Sequence, residues 1–137
     1  MRAAEDHVSE REPRPRPVVL LAEDHEDTRR VYGLILRHFG YEVDEASSGE
    51  EAIELAKARR PSLVLMDIGL PGLDGWQTSR ILKADPLTTA IPLIAFSARI
   101  ESISDLVGRA TFDGYITKPV SPLELARRVG AYINLLA

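Results

Sequence analysis

Three stretches of this chain are apolar almost throughout: VVLLA at 18–22, LVLM at 63–66 and IPLIAFS at 91–97. They are too short for helices that bury every side, and a half-exposed strand would alternate. Continuous runs of this length belong to strands buried on both faces, as in a parallel sheet covered by helices on each side. Between them lie segments of helical spacing. Val31, Leu34, Ile35, His38 and Phe39 recur at three- and four-residue intervals and stop at Gly40. Ala52, Leu55 and Ala56 share a face in the next segment, with Pro61 beyond it. Residues 73–84 read as a short helix built on Trp76, Ile81 and Leu82.

YEVDEA (41–46) alternates, so it is a strand buried mainly on one face and belongs at an edge, and GYIT (114–117) is a fifth strand. The last helix begins at Ser121-Pro122, an N-cap followed by proline at the first helical position, and draws its apolar content from Leu123, Leu125, Ala126, Val129 and Ile133. Five β/α units of this kind predict an α/β fold with a doubly wound, five-stranded parallel sheet. Its flavodoxin-like order, 2-1-3-4-5, seats the alternating second strand at an edge. Residues 1–16 are polar and close in alternating Pro and Arg, which predicts a flexible Pro/Arg-rich tail ahead of a folded unit over 17–137.

In such sheets function gathers outside the carboxyl ends of the strands. Strand one ends at Glu23-Asp24, strand three at Asp67, strand four at Ser97 and strand five at Lys118. Taken singly each has a plainer role, as helix-start charge, surface lysine or loop cap. Together they put three carboxylates, a hydroxyl and an ammonium in one crevice. Clustered carboxylates repel unless a cation joins them, and all-oxygen, carboxylate-rich ligation with no histidine or cysteine suits Mg2+. Beside the metal, Asp67 is a plausible nucleophile, Lys118 a mobile point charge for an anion, and Ser97 a donor to a phosphoryl oxygen. Asp67 is therefore expected to be phosphorylated.

Composition removes other classes. A net charge of -4 offers no basic field for nucleic acid. No apolar run reaches the ~20 residues of a membrane span, and the start lacks the apolar core of a signal peptide. With no cysteine, disulfides and thiolate chemistry are excluded, and a reducing cytoplasm is the expected location. AEDHED, after strand one, would repel a nucleotide phosphate where a nucleotide binder needs glycine. An Mg2+-dependent phosphohydrolase would carry an acid two residues after its nucleophile, and that position is Gly69.

AED at 22–24, MDIGLPGLDG at 66–75, FSA at 96–98 and YITKP at 115–119 together resemble the receiver domain of two-component response regulators, over about residues 17–136. The resemblance implies a phosphorylation-controlled, CheY-like switch that is not a turnover enzyme but assists its own phosphorylation and dephosphorylation. Phosphate would come from a phosphohistidine on a histidine kinase or phosphotransfer protein. Asp67 would be the phosphoacceptor, and Glu23, Asp24, Asp67 and the Gly69 carbonyl would hold Mg2+. Ser97 and Lys118 would meet the phosphoryl group, Tyr115 would be the aromatic that turns inward on activation, and Pro119 would follow a cis peptide. The output would be a downstream protein, met by the fourth helix, fifth strand and fifth helix. Because the chain ends at Ala137, a stand-alone receiver is expected, the alternative being a module of a hybrid kinase or longer regulator.

Two departures from the family stand out. Thr111 replaces a usual glycine, and the Ser97-to-Lys118 interval is one residue short. Ile103, Leu106, Val107 and Ala110 still mark a fourth helix. Ser102 and Asp105 predict a start near residue 103, after a mobile loop over 98–101, and a length of roughly two turns.

Overall fold

The computed structural model describes residues 16–98 and 111–136. The chain runs β1 (Val18–Ala22), α1 (Glu26–His38), β2 (Glu42–Ala46), α2 (Gly49–Arg59), β3 (Leu63–Met66), α3 (Gly75–Ala84), β4 (Leu93–Ser97), β5 (Gly114–Thr117) and α4 (Pro122–Leu136). Here α4 is the C-terminal helix, the fifth of the expected series. The expected fourth helix and its preceding loop, apart from Ala98, lie outside the described residues, as does the expected tail apart from Arg16.

All strand pairs are parallel, in the order β2-β1-β3-β4-β5. The apolar runs bury both faces, as their composition demands. On one face Val19, Leu21, Leu65, Ile94, Phe96 and Ile116 pack with Leu36, Leu125 and Val129 of α1 and α4. On the other Leu20, Ala22, Val64, Met66 and Leu93 pack with Ala52, Ala56 and Leu82 of α2 and α3.

The alternating strand is an edge, and its outward residues are charged. Arg59 pairs with Glu42 and Asp44 at 2.7 and 2.8 Å, while Arg29 and Arg37 clamp Glu45 at 3.1 and 3.0 Å. Such charges keep an edge from pairing with another chain. The opposite edge is covered from α4, where Arg128 Nη2 donates to the Tyr115 carbonyl at 2.7 Å.

Two helix faces differ from the sequence reading. In α1, Val31 and Leu34 are 54% and 65% exposed, and the buried residues are Gly33 and Leu36, with Tyr32 and Ile35 packed beside them. Apolar residues at 31, 32, 34, 35 and 36 support two stripes, so spacing alone could not choose between them. The stripe with Tyr32, Ile35 and Leu36 is the one packed into the core, and Arg29 and Arg37 both pair with Glu45 of β2. We expect Leu36→Ala to cost about 2–5 kcal/mol in denaturant unfolding, and Leu34→Ala less than about 0.5 kcal/mol.

In α3, Ile81 is exposed, and Thr78 and Ser79 are buried beside Leu82. Both hydroxyls are satisfied within the helix, Thr78 donating to the Asp74 carbonyl at 2.8 Å and Ser79 to the Trp76 carbonyl at 2.7 Å. A small residue is needed there because α2 comes close: a Cβ on Gly49 would lie 2.2 Å from Thr78 Oγ1. Thr111, the residue in place of glycine, pairs its hydroxyl with Ser79 Oγ at 2.5 Å.

Candidate functional site

The parallel register brings the ends of β1 and β3 level, with Ala22 opposite Met66. One further ladder bond, from Asp67 N–H to the Ala22 carbonyl at 3.0 Å, sets Asp67 beside the Glu23-Asp24 pair. On the other side, Lys118 N–H donates to the Ser97 carbonyl at 3.1 Å and holds the start of the β5 loop against the end of β4. The sheet itself thus assembles the cluster.

Within it, Glu23 is 1% exposed, and its Oε1 takes the Lys118 ammonium in an ion pair. The same ammonium stands 3.7 Å from Asp67 Oδ2 and 5.2 Å from the centre of the Phe96 ring. A charge so fully withdrawn from water requires a partner of opposite sign, and Glu23 and Lys118 supply it to each other. Asp67 Oδ1 accepts from Gly69 N–H at 3.1 Å, which fixes the carboxylate's rotation. Asp24 Oδ1 is buried and has no hydrogen-bond partner among the described residues.

Glu23, Asp24 and Asp67 therefore carry three negative charges against the single ammonium of Lys118. A buried carboxylate oxygen with no donor is costly, and a divalent cation would relieve both the orphaned oxygen and the excess charge. Glu23, Asp24, His25 and Asp67 each offer a ligand atom within 4.8 Å of one another. The donor set is mostly hard oxygen, so the residues fit Mg2+.

Ser97, the last residue of β4, is buried. Tyr115, in β5, is half-buried, and its backbone is held by α4: Tyr132 Oη donates to its carbonyl at 3.3 Å, alongside Arg128. The Lys118–Pro119 peptide is cis. Gly69 meets Asp67 through its N–H.

Two residues at the site carry more than the sequence reading gave them. His25 is the N-cap of α1. Its backbone N–H donates to Glu23 Oε2 at 3.1 Å, and its ring Nδ1 lies 3.2 Å from the same oxygen and 3.5 Å from Asp24 Oδ1. Arg29 was not singled out. It donates to the Glu23 carbonyl at 2.9 Å and to Glu45 at 3.1 Å, tying the acidic loop to β2. An arginine one turn into a helix that starts on an acidic pair was the available signal.

Residues 19–130 match the family described as response regulator receiver domain. Among curated relatives, the phosphate regulon transcriptional regulatory protein PhoB of Pseudomonas aeruginosa is 37% identical over 117 residues, covering 85% of this chain and 51% of the relative. The transcriptional regulatory protein AfsQ1 of Streptomyces coelicolor is 35% identical over 119 residues, with 86% and 52% covered. The chain thus spans about half the length of the curated relatives it matches.

Among solved structures, the receiver domain of a sensor histidine kinase from Pseudomonas aeruginosa superposes with a TM-score of 0.81 at 30% identity, covering 88% of this chain and 99% of that one. That structure holds a magnesium ion coordinated in its active-site cleft. The receiver domain of Francisella response regulator 1452 gives 0.78 at 27% identity, with the same two coverages of 88% and 99%. The doubly wound sheet, the acidic cleft at its carboxyl edge and these likenesses agree: the chain belongs to the receiver-domain family of two-component response regulators.

Proposed function

We propose that Asp67 accepts a phosphoryl group from a phosphohistidine on a histidine kinase or phosphotransfer protein. The observation that carries this reading is the convergence on Asp67 of Gly69 N–H at one carboxylate oxygen and the Lys118 ammonium at the other. An oxygen of Asp67 attacks phosphorus and the P–N bond breaks. Its electron pair stays on the donor imidazole, which leaves neutral because the ring already carries a proton. Gly69 keeps the carboxylate rotated for attack. Lys118, already held by Glu23, needs little movement to meet the new phosphoryl oxygens.

Glu23, Asp24, Asp67 and the Gly69 carbonyl would hold Mg2+, which when bound offsets the charge on the transferring group's equatorial oxygens. Ser97 would donate to one of those oxygens. Its hydroxyl, together with Tyr115, would report the modification to the face made by β5 and α4, where a downstream protein docks. Steady phosphohydrolase turnover is disfavoured because the residue two past Asp67 is glycine and supplies no general acid. This makes the domain a switch that assists its own phosphorylation and dephosphorylation. No described helix is long and apolar enough to cross a membrane, and the cysteine-free composition supports work in the cytoplasm.

Acetyl phosphate with Mg2+ should label the protein with about one phosphoryl group per chain, and absence of labelling would overturn the reading. Metal alone should stabilise the fold, because it binds the native cluster and not the dispersed carboxylates of the unfolded chain. At ten times its dissociation constant it contributes about 1.4 kcal/mol, a rise in melting temperature of roughly 4–6 °C. Asp24→Ala should remove most of that rise, as seen by scanning fluorimetry at low ionic strength.

A further inference from the structure

We propose that His25 selects the metal. On this proposal its imidazole adds a nitrogen donor to the cation held beside Asp67, and the site takes a borderline transition-metal dication ahead of Mg2+. The inference rests on the reading of this cleft as a receiver's divalent-cation site.

Histidine is an unusual choice where this one stands. It is the N-cap of α1, a position that favours Ser, Thr, Asp or Asn for their short acceptor oxygens. The His25 side chain makes no capping hydrogen bond. It turns instead to the carboxylates, with Nδ1 3.2 Å from Glu23 and 3.5 Å from Asp24. A local rule broken at a helix start beside a functional cleft is where a function-bearing residue is expected.

The geometry is close to that of a ligand sphere. Atoms on opposite sides of a small dication, each about 2.1 Å from it, are about 4 Å apart. One atom from each of Glu23, Asp24, His25 and Asp67 already lies within 4.8 Å of the others. Small rotations close the difference, and His25 is free to make them because its side chain is 75% exposed. Asp24 Oδ1 has no hydrogen bond among the described residues, and the His25 ring at 3.5 Å is the basic group placed beside it. A site of carboxylate, carbonyl and water oxygens suits Mg2+, whereas an imidazole nitrogen shifts preference along the series from Mn2+ toward Co2+ and Zn2+. With one ring nitrogen on the metal, the other faces solvent and can hold its proton on water.

The plainer alternative is that the ring only pairs with Glu23 and leaves the metal to the oxygens. Pulsed electron paramagnetic resonance on the Mn2+-loaded full chain separates the two. We expect nitrogen modulation from a directly bound imidazole, lost in His25→Gln and kept in a His7→Gln/His38→Gln double variant. Melting-temperature titrations should show Co2+ weakened by about tenfold or more in His25→Gln, with Mg2+ affected far less. No nitrogen modulation in the unmodified chain, or the same modulation in His25→Gln, would overturn the proposal. Labelling of the unmodified chain with acetyl phosphate and Mg2+ is read in parallel. Labelling without a nitrogen signal overturns the metal selection and leaves the phosphoacceptor reading standing. No labelling with any dication overturns the phosphoacceptor reading, and the nitrogen signal alone then decides the metal selection.

Discussion

Asp67→Asn should abolish labelling by acetyl phosphate in Mg2+ while the domain stays folded. The amide keeps the shape of the carboxylate, so Gly69 N–H can still donate to its oxygen. What it loses is the charge that, on the proposed function, makes the group a nucleophile and a metal ligand. One charge is removed from a cluster of three carboxylates around one ammonium, so repulsion falls and unfolding should be unchanged or slightly harder without metal. The melting-temperature rise on adding Mg2+ should shrink at the same time. The check is paired: phosphate incorporation, and denaturant unfolding of the same preparation. Stoichiometric labelling of Asp67→Asn would place the acceptor elsewhere, with His25 the nearest competitor.

Gly75→Ala should cause the largest loss of stability of any single-methyl addition near the site. A Cβ on Gly75 would lie 2.6 Å from the Asp67 carbonyl oxygen and 2.6 Å from Ile68 Cα. Both are backbone atoms, so no side-chain rotation relieves the clash. Either α3 or the loop carrying Asp67 must move, at a cost of about 1–3 kcal/mol. The same movement would stretch the bond from Gly75 N–H to the Ile68 carbonyl, now 2.8 Å. Labelling of Asp67 should fall along with stability. Gly69→Ala is the control, because its Cβ would meet only Asp67 Oδ1, at 3.9 Å, an ordinary contact. Equal stability for the two variants in urea unfolding would contradict this account of the loop.

What could be read in advance divides along physical lines. The continuous runs VVLLA and LVLM specify buried parallel strands because few other structures bury both faces of so short a segment. Once the strand order follows, the residues at the strand ends follow with it, so Glu23, Asp24, Asp67, Ser97 and Lys118 were legible as one constellation. Helix faces were harder. In α1 the apolar residues outnumber the positions one face can bury, and Tyr32, Ile35 and Leu36 are the ones that pack into the core while Val31 and Leu34 stay exposed. In α3 the buried face includes Thr78 and Ser79, whose hydroxyls are satisfied by their own helix, so polarity gave the wrong sign. Tyr132 and Arg128 reach across from α4 to the Tyr115 carbonyl. Contacts of that kind depend on where a helix crosses an edge strand, which no local pattern encodes. His25 was visible as a residue type, but its turn toward Glu23 depends on the backbone between β1 and α1.

The central claim, that Asp67 is the phosphoacceptor, is tested most directly by trapping the product. The chain is phosphorylated by a phosphohistidine donor protein in the presence of Mg2+ and reduced at once with borohydride, which converts an aspartyl phosphate to homoserine. The peptide spanning residues 63–75 is then sequenced by mass spectrometry. The account predicts homoserine at position 67, in proportion to phosphate transferred, and none when Mg2+ is withheld. Phosphate transferred with Asp67 unreduced, or a label recovered on His25 or another carboxylate, would contradict it.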